Sequence, residues 1–297
     1  MAELVLGTVQ LGMPYGIANT SGKPDQKTAT EIIRIAFEGG VRFFDTAQGY
    51  GDSEVVLGRA LKDLGIAEQV FVITKFEKDV DVRSADEAIK AARLSCSKIG
   101  IDKLHGVQAR LTYVESIWGE GAEQSFASLL EHELAEEIGV SVYRPEQARF
   151  AMEMSGIGAV QIPFNVADRR FEQDGLIEEL QEDSIQLYLR SVYLQGLFFL
   201  KSDQMSQEMS FATPIVQEIQ MIAEKYGIKL AVMLLQYAKV SLPNARIILG
   251  AETPEQMRQN IVAWNSSMPS EVIDDIRSIS RTVDDRILNP SLWPTIS

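Results

Sequence analysis

The feature that most constrains this chain is an alternation. Short apolar runs rich in β-branched and aromatic residues recur eight times, at about residues 4–6, 41–45, 70–75, 104–110, 138–141, 159–161, 185–190 and 246–249. Each run has the composition of a buried strand, and the spacing between them is that of parallel βα units. Helices are predicted between them over residues 27–38, 54–64, 84–98, 124–135, 145–154 and 168–182, and over a long region, 213–239. The first shows the logic: Ile32, Ile33, Ile35 and Ala36 make one apolar face, and Gly39-Gly40 closes the helix. Eight parallel strands leave no unpaired edge if the sheet closes on itself. The expected fold is therefore α/β, a (β/α)8 barrel forming a single domain over residues 1–297, with its chemistry at the C-terminal ends of the strands.

Charge and cysteine content narrow the function. The net charge of −14 disfavours nucleic acid and anionic membrane as partners, because both need a basic face. The single cysteine, Cys96, permits no internal disulfide and falls in a helical pattern that favours packing. No secretory signal precedes the first apolar run and no run reaches spanning length, so a cytoplasmic location is expected. No metal site is expected, and the oligomeric state stays open.

Residues 41–54, VRFFDTAQGYGDSE, gather the reactive groups. Asp45 ends a strand, Tyr50 follows in a Gly-containing loop, and the oxygens of Asp52, Ser53 and Glu54 can cap the next helix. A carboxylate at a strand end and a phenol five residues on can meet over that end. Lys75 ends the following run, and an ammonium beside a phenol is expected to lower its pKa and ready it for proton exchange.

Phe44-Asp45-Thr46-Ala47, then Tyr50-Gly51 and Ser53-Glu54 with Leu57-Gly58 after, resembles the aldo-keto reductase signature. The resemblance runs from Gly7-Thr8 to Asn260. It implies a (β/α)8 barrel that passes a hydride between a nicotinamide cofactor, NADPH or else NADH, and a small carbonyl substrate. By motif, Asp45, Tyr50 and Lys75 take three of the family's four catalytic places. The cofactor set it implies is Gly7 and Thr8, Ser141 of Gly139-Val140-Ser141, Gln161, Arg190-Ser191 with Gln195, and Gly250, Ala251, Thr253, Gln256, Gln259 and Asn260. Arg190 stands where the family often has an aromatic residue under the nicotinamide, and a guanidinium also stacks. Thr253, Pro254 and Gln256 read as a capping box at a helix start, a ready anion site. No Lys or Arg occupies the places where some members clamp a 2′-phosphate, so NADPH follows from the family alone.

The family's fourth residue is a histidine ending strand four, where this chain has Arg110. His105 lies five residues earlier, about 16 Å down the strand at about 3.3 Å per residue, and is read as packed or satisfied. His132 is read as part of a polar helix over 131–137. Arg110 is taken as a cationic contact to the carbonyl oxygen or to an anionic group of the substrate. With Gly12-Met13-Pro14-Tyr15-Gly16 after the first strand, the resemblance to one subgroup of the family implies sugar or surface-polysaccharide metabolism. Two other classes remain open: a nucleotide-binding sensor without turnover, and a barrel enzyme turned to another reaction.

Overall fold

The computed structural model describes residues 1–172, 175–279 and 283–293. Eight strands, β1 Glu3–Gly7, β2 Phe43–Asp45, β3 Phe71–Lys75, β4 Leu104–Arg110, β5 Ala135–Ser141, β6 Ala159–Pro163, β7 Gln186–Arg190 and β8 Arg246–Gly250, close in chain order into a parallel barrel. Alternation along the strands explains the closure. Val5, Phe43, Ile73, Ala159, Tyr188 and Ile248 point inward and fill the barrel. Their neighbours Leu4, Leu6, Phe44, Val72, Val160 and Ile247 point outward and pack against the helices.

Register brings the candidate residues to one rim. Gly7 pairs with both Asp45 and Gly250, Lys75 with Gln108, Arg110 with Ser141, Ser141 with Gln161, and Pro163 with Arg190. At the opposite end a polar cluster seals the barrel. Arg246 bonds to Glu3, the Tyr188 hydroxyl and His105, and Tyr188 donates to Glu137 at 2.9 Å. His105 is thus a satisfied structural residue, also bonded to Glu136.

Three expected helices differ in the fold. The 124–135 helix is Ala122–Glu131, because Glu133 takes a left-handed conformation (φ 54°) and β5 pairs with β4 from Ala135 onward. His132 is that helix's C-cap, and no helix runs from 131 to 137. The 213–239 region is two helices, Thr213–Lys225 and Leu230–Ser241, parted at Gly227 with φ 62°. Within 168–182 a 3-10 turn, Arg170–Glu172, precedes a helix only over Leu176–Glu182; residues 173 and 174 lie outside the described residues. No described helix is long and apolar enough to cross a membrane. Cys96 is buried, and burial pushes its thiol up to about 11.

Candidate active site

Tyr50 is held by backbone packing. After β1 the chain makes a one-turn helix, Val9–Gly12, beneath the β2 loop. A Cβ on Gly12 would stand 1.8 Å from the Tyr50 carbonyl oxygen and 2.6 Å from the Ser53 nitrogen, so residue 12 must be glycine for the two loops to touch. A buried hydroxyl knot fixes the same loops. Thr8 Oγ1 donates to the Asp45 carbonyl at 3.0 Å, Ser53 Oγ donates to the Thr8 carbonyl at 2.8 Å, and Thr46 Oγ1 lies 3.0 Å from Ser53 Oγ. The expected side-chain cap of the helix Ser53–Leu64 is not made, because its three oxygens have other partners. Ser53 is in the knot, Asp52 takes Lys23 at 2.5 Å, and buried Glu54 accepts from Thr74 at 2.8 Å and Lys98 at 3.3 Å.

Beside this loop, Lys75 Nζ donates to Asp45 Oδ2 at 2.5 Å and to the Thr46 carbonyl at 3.2 Å, with both side chains buried. Gln161 Nε2 donates to the same Asp45 oxygen at 3.0 Å and to Gln108 Oε1 at 3.1 Å. Gln108 was not singled out in the sequence, and its own Nε2 is buried without a partner. Lys75 Nζ lies 5.6 Å from the Tyr50 ring centroid. The phenol nevertheless moves opposite to expectation. Burial first, then the Asp45 charge, hold its pKa well above the ordinary value of 10, against the lowering pull of Arg190 and Arg110. Lys75 is itself lowered by burial, with Asp45 opposing. Tyr50 in this state is a protonated phenol, a donor in reserve.

Arg110 ends β4 as an exposed side chain whose guanidinium lies 5.7 Å from the Tyr113 ring centroid, near enough to act on both Tyr50 and Lys75. Arg190, at the end of β7, donates to the Val142 carbonyl at 3.1 Å and lies 4.5 Å over the Tyr143 ring.

A cavity of about 530 Å³ runs from Asp45 and Tyr50 across the ends of β6, β7, β8 and β1 to the helix Pro254–Trp264. Its wall includes the predicted Gly7, Thr8, Gln161, Arg190, Ser191 and Gln195, and Gly250, Ala251, Gln256, Gln259 and Asn260. Lys75, Arg110, Ser141 and Thr253 stand outside the wall. Lys75 lies behind Asp45, and Thr253 is spent as the helix cap, accepting from the Gln256 N–H at 3.2 Å. The other arm of the expected capping box lands one residue early, on the Glu252 N–H.

The sequence reading missed the cavity's outer wall. Tyr15, Gly16 and Ala18 from the loop after β1 meet Tyr193, Gly196 and Phe199 from the loop after β7. A Cβ on Gly196 would come within 2.6 Å of the Ala18 Cβ, and Gly196 has φ 88°. Ser191, Leu194 and Gln195 also have positive φ, a concentration of strain of the kind found at ligand clamps. Burial pushes Tyr15 up to about 12, with the Tyr50 phenol adding. An elongated groove of this volume, with uncharged backbone at its middle, reactive groups at one end and a helix start at the other, fits a long jointed ligand such as a dinucleotide.

Residues 3–281 match the profile described as the Aldo/keto reductase family. The chain belongs to that family. It is 24% identical over 302 residues to aldo-keto reductase YhdN of Bacillus subtilis (90% of this chain, 88% of the relative). It is 24% identical over 308 residues to the NADH-specific methylglyoxal reductase of Escherichia coli (90% and 91%). The fold matches a holo-form aldo-keto reductase from Bacillus halodurans with a TM-score of 0.75 at 20% identity, covering 97% and 95% of the two chains. This aldo-keto reductase is accordingly an NAD(P)H-dependent oxidoreductase.

Proposed function

We propose that the protein reduces a small polar carbonyl compound to its alcohol, or runs the reverse oxidation, with Tyr50 as the proton carrier. The observation that carries this reading is the buried Lys75–Asp45 pair at 2.5 Å beside the Tyr50 phenol, with Asp45 and Tyr50 in the cavity wall. A nicotinamide dinucleotide held by Gln161, Arg190, Ser191, Gln195 and the residues from Gly250 to Asn260 would supply the hydride. The chain's own part is positional and electrostatic. Tyr50 holds a proton that burial keeps in place, and it can donate to an oxygen as negative charge develops there. Lys75 fixes the Asp45 carboxylate and Gln161 locks it from the other side, and that carboxylate with Arg190 and Arg110 sets the field around the phenol. Arg110 supplies a permanent cation near the reacting oxygen or near an anionic group on the substrate.

A small substrate accords with the relative named for methylglyoxal, and a sugar derivative remains a member of the same polar class. The test is Tyr50→Phe. It should lose about 10²–10⁴-fold in kcat while dinucleotide affinity stays within about threefold, because the hydroxyl acts in the chemical step alone. Turnover within about threefold of the parent would remove Tyr50 from the role.

A further inference from the structure

The end of the cavity away from Tyr50 carries the amides of Gln256, Gln259 and Asn260 and the carboxylate of Glu252. Its charged wall residues, among those described, are Asp45, Arg190 and Glu252. Asp45 and Arg190 belong to the Tyr50 end, where Arg190 is engaged with Val142 and Tyr143. That leaves Glu252, half-buried just before the helix Pro254–Trp264, as the charge at the far end. Against Gly250, two residues away in the chain, the Gln10 Oε1 is buried without a partner, a second acceptor.

No cation among the described wall residues offsets them at that end, and the helix start has few spare backbone donors. A Cβ on Gly250 would meet the Gln10 amide at 2.3 Å, so the amide fills the space a basic side chain at 250 would need. Arg258 on the same helix stands outside the wall, with Glu31 and Glu255 each at 3.5 Å. At the helix start, Pro254 has no N–H, and the Gln256 N–H is taken by Thr253. Two of the first three helical positions thus have nothing to offer an anion, and Glu255 adds a carboxylate in that turn.

We infer that Glu252 makes this enzyme select NADH over NADPH, its carboxylate accepting from the adenosine ribose hydroxyls and repelling a phosphate at the ribose 2′ position. The inference rests on the proposed binding of a nicotinamide dinucleotide along the cavity, and it departs from the NADPH that family membership alone implies. The chemistry is that of hydroxyl against phosphate. A free ribose hydroxyl is a donor matched to two acceptors, whereas a phosphate is an anion and an acceptor facing a carboxylate without a cation.

The test is direct binding, read by calorimetry or tryptophan fluorescence, with NADH and NADPH titrated separately into the intact protein, Glu252→Gln and Glu252→Lys. The parent should bind NADH at least about tenfold tighter, the ratio that one pair of like charges about 12 Å apart gives at an effective dielectric of about 20, with a larger ratio at closer range. Glu252→Gln should narrow the ratio and Glu252→Lys should invert it. Equal affinities in the parent, tighter NADPH, or an unchanged ratio in Glu252→Gln overturns the selectivity and leaves the dinucleotide site standing. No saturable binding of either nucleotide by the parent removes the site and the selectivity together. The parent's own ratio tests the selectivity even if Glu252→Lys fails to fold, and the near-isosteric Glu252→Gln tests its assignment to Glu252.

Discussion

An arginine stays charged wherever this chain is folded, whereas a histidine in the same place titrates near neutrality. Arg110 therefore gives the Tyr50 end of the cavity a fixed cation beside the Lys75 ammonium, and among the described residues the Asp45 carboxylate is the anion bonded there to balance them. A second anion, carried by the substrate, would relieve the same repulsion. Substrates bearing a carboxylate or phosphate should be preferred over neutral aldehydes. Arg110→His should reduce that preference about ten- to hundredfold, the range set by one charge-assisted hydrogen bond of about 1.5–3 kcal/mol. The check is kcat/KM for matched neutral and anionic carbonyl compounds in both proteins, and an unchanged ratio would mean that Arg110 turns away from the substrate.

At the scale of elements, what orders the site is the contact between the one-turn helix Val9–Gly12 and the β2 loop. Gly12→Ala puts a methyl where the Tyr50 carbonyl stands, so the loop must shift. The expected result is a folded protein with a lowered Tm and a kcat reduced at least about tenfold, since displacement of a reacting group by about 1 Å costs up to about 10². Circular dichroism and steady-state kinetics check it; a parent-like kcat would show that the phenol keeps its place while the backbone moves. That contact was invisible in the sequence, where Gly12 was one glycine in a motif. The strands were legible because their apolar runs are set by burial; Asp45 and Lys75 followed from where those runs end, and Arg110, Gln161 and Arg190 from the family resemblance laid over them. The helix assigned through Ala135 was misread because its Glu, Leu and Ala residues favour helix locally, while pairing with β4 claims the segment for β5. Tyr50 was misjudged for a related reason. The sequence supplied its neighbour Lys75 but not its burial, and burial wins. Tyr15 and Gly196 were missed because they meet only when the loops after β1 and β7 close over one another.

For the whole molecule, the barrel has a reactive end and a sealing end, and the sealing end carries its own titration. Glu137 projects into the barrel's base beside Tyr188 and Arg246, and burial raises its carboxyl to about 7 from the ordinary 4.5, against the lowering effects of the Tyr188 hydrogen bond and the Arg246 charge. The folded chain therefore keeps this proton to a higher pH than the unfolded chain does. Below about 4.5 both states hold it and nothing is lost; between about 4.5 and 7 the unfolded state releases it first, so the Glu137 contribution to stability falls as pH rises. His105, lowered by burial, gives the opposite slope at acid pH, because the unfolded chain binds a proton more readily there. A comparison of parent with Glu137→Gln cancels that slope and isolates Glu137. The amide oxygen can still accept from the Tyr188 hydroxyl, and it carries no charge to be desolvated. The variant should thus gain in Tm relative to the parent on going from pH 5 to pH 8, with the gain accumulating from pH 5 to about 7 and levelling above it. Thermal unfolding followed by circular dichroism across that range is the measurement. A difference in Tm that does not change with pH would show that Arg246 keeps Glu137 ionised throughout and that the base of the barrel holds a true ion pair.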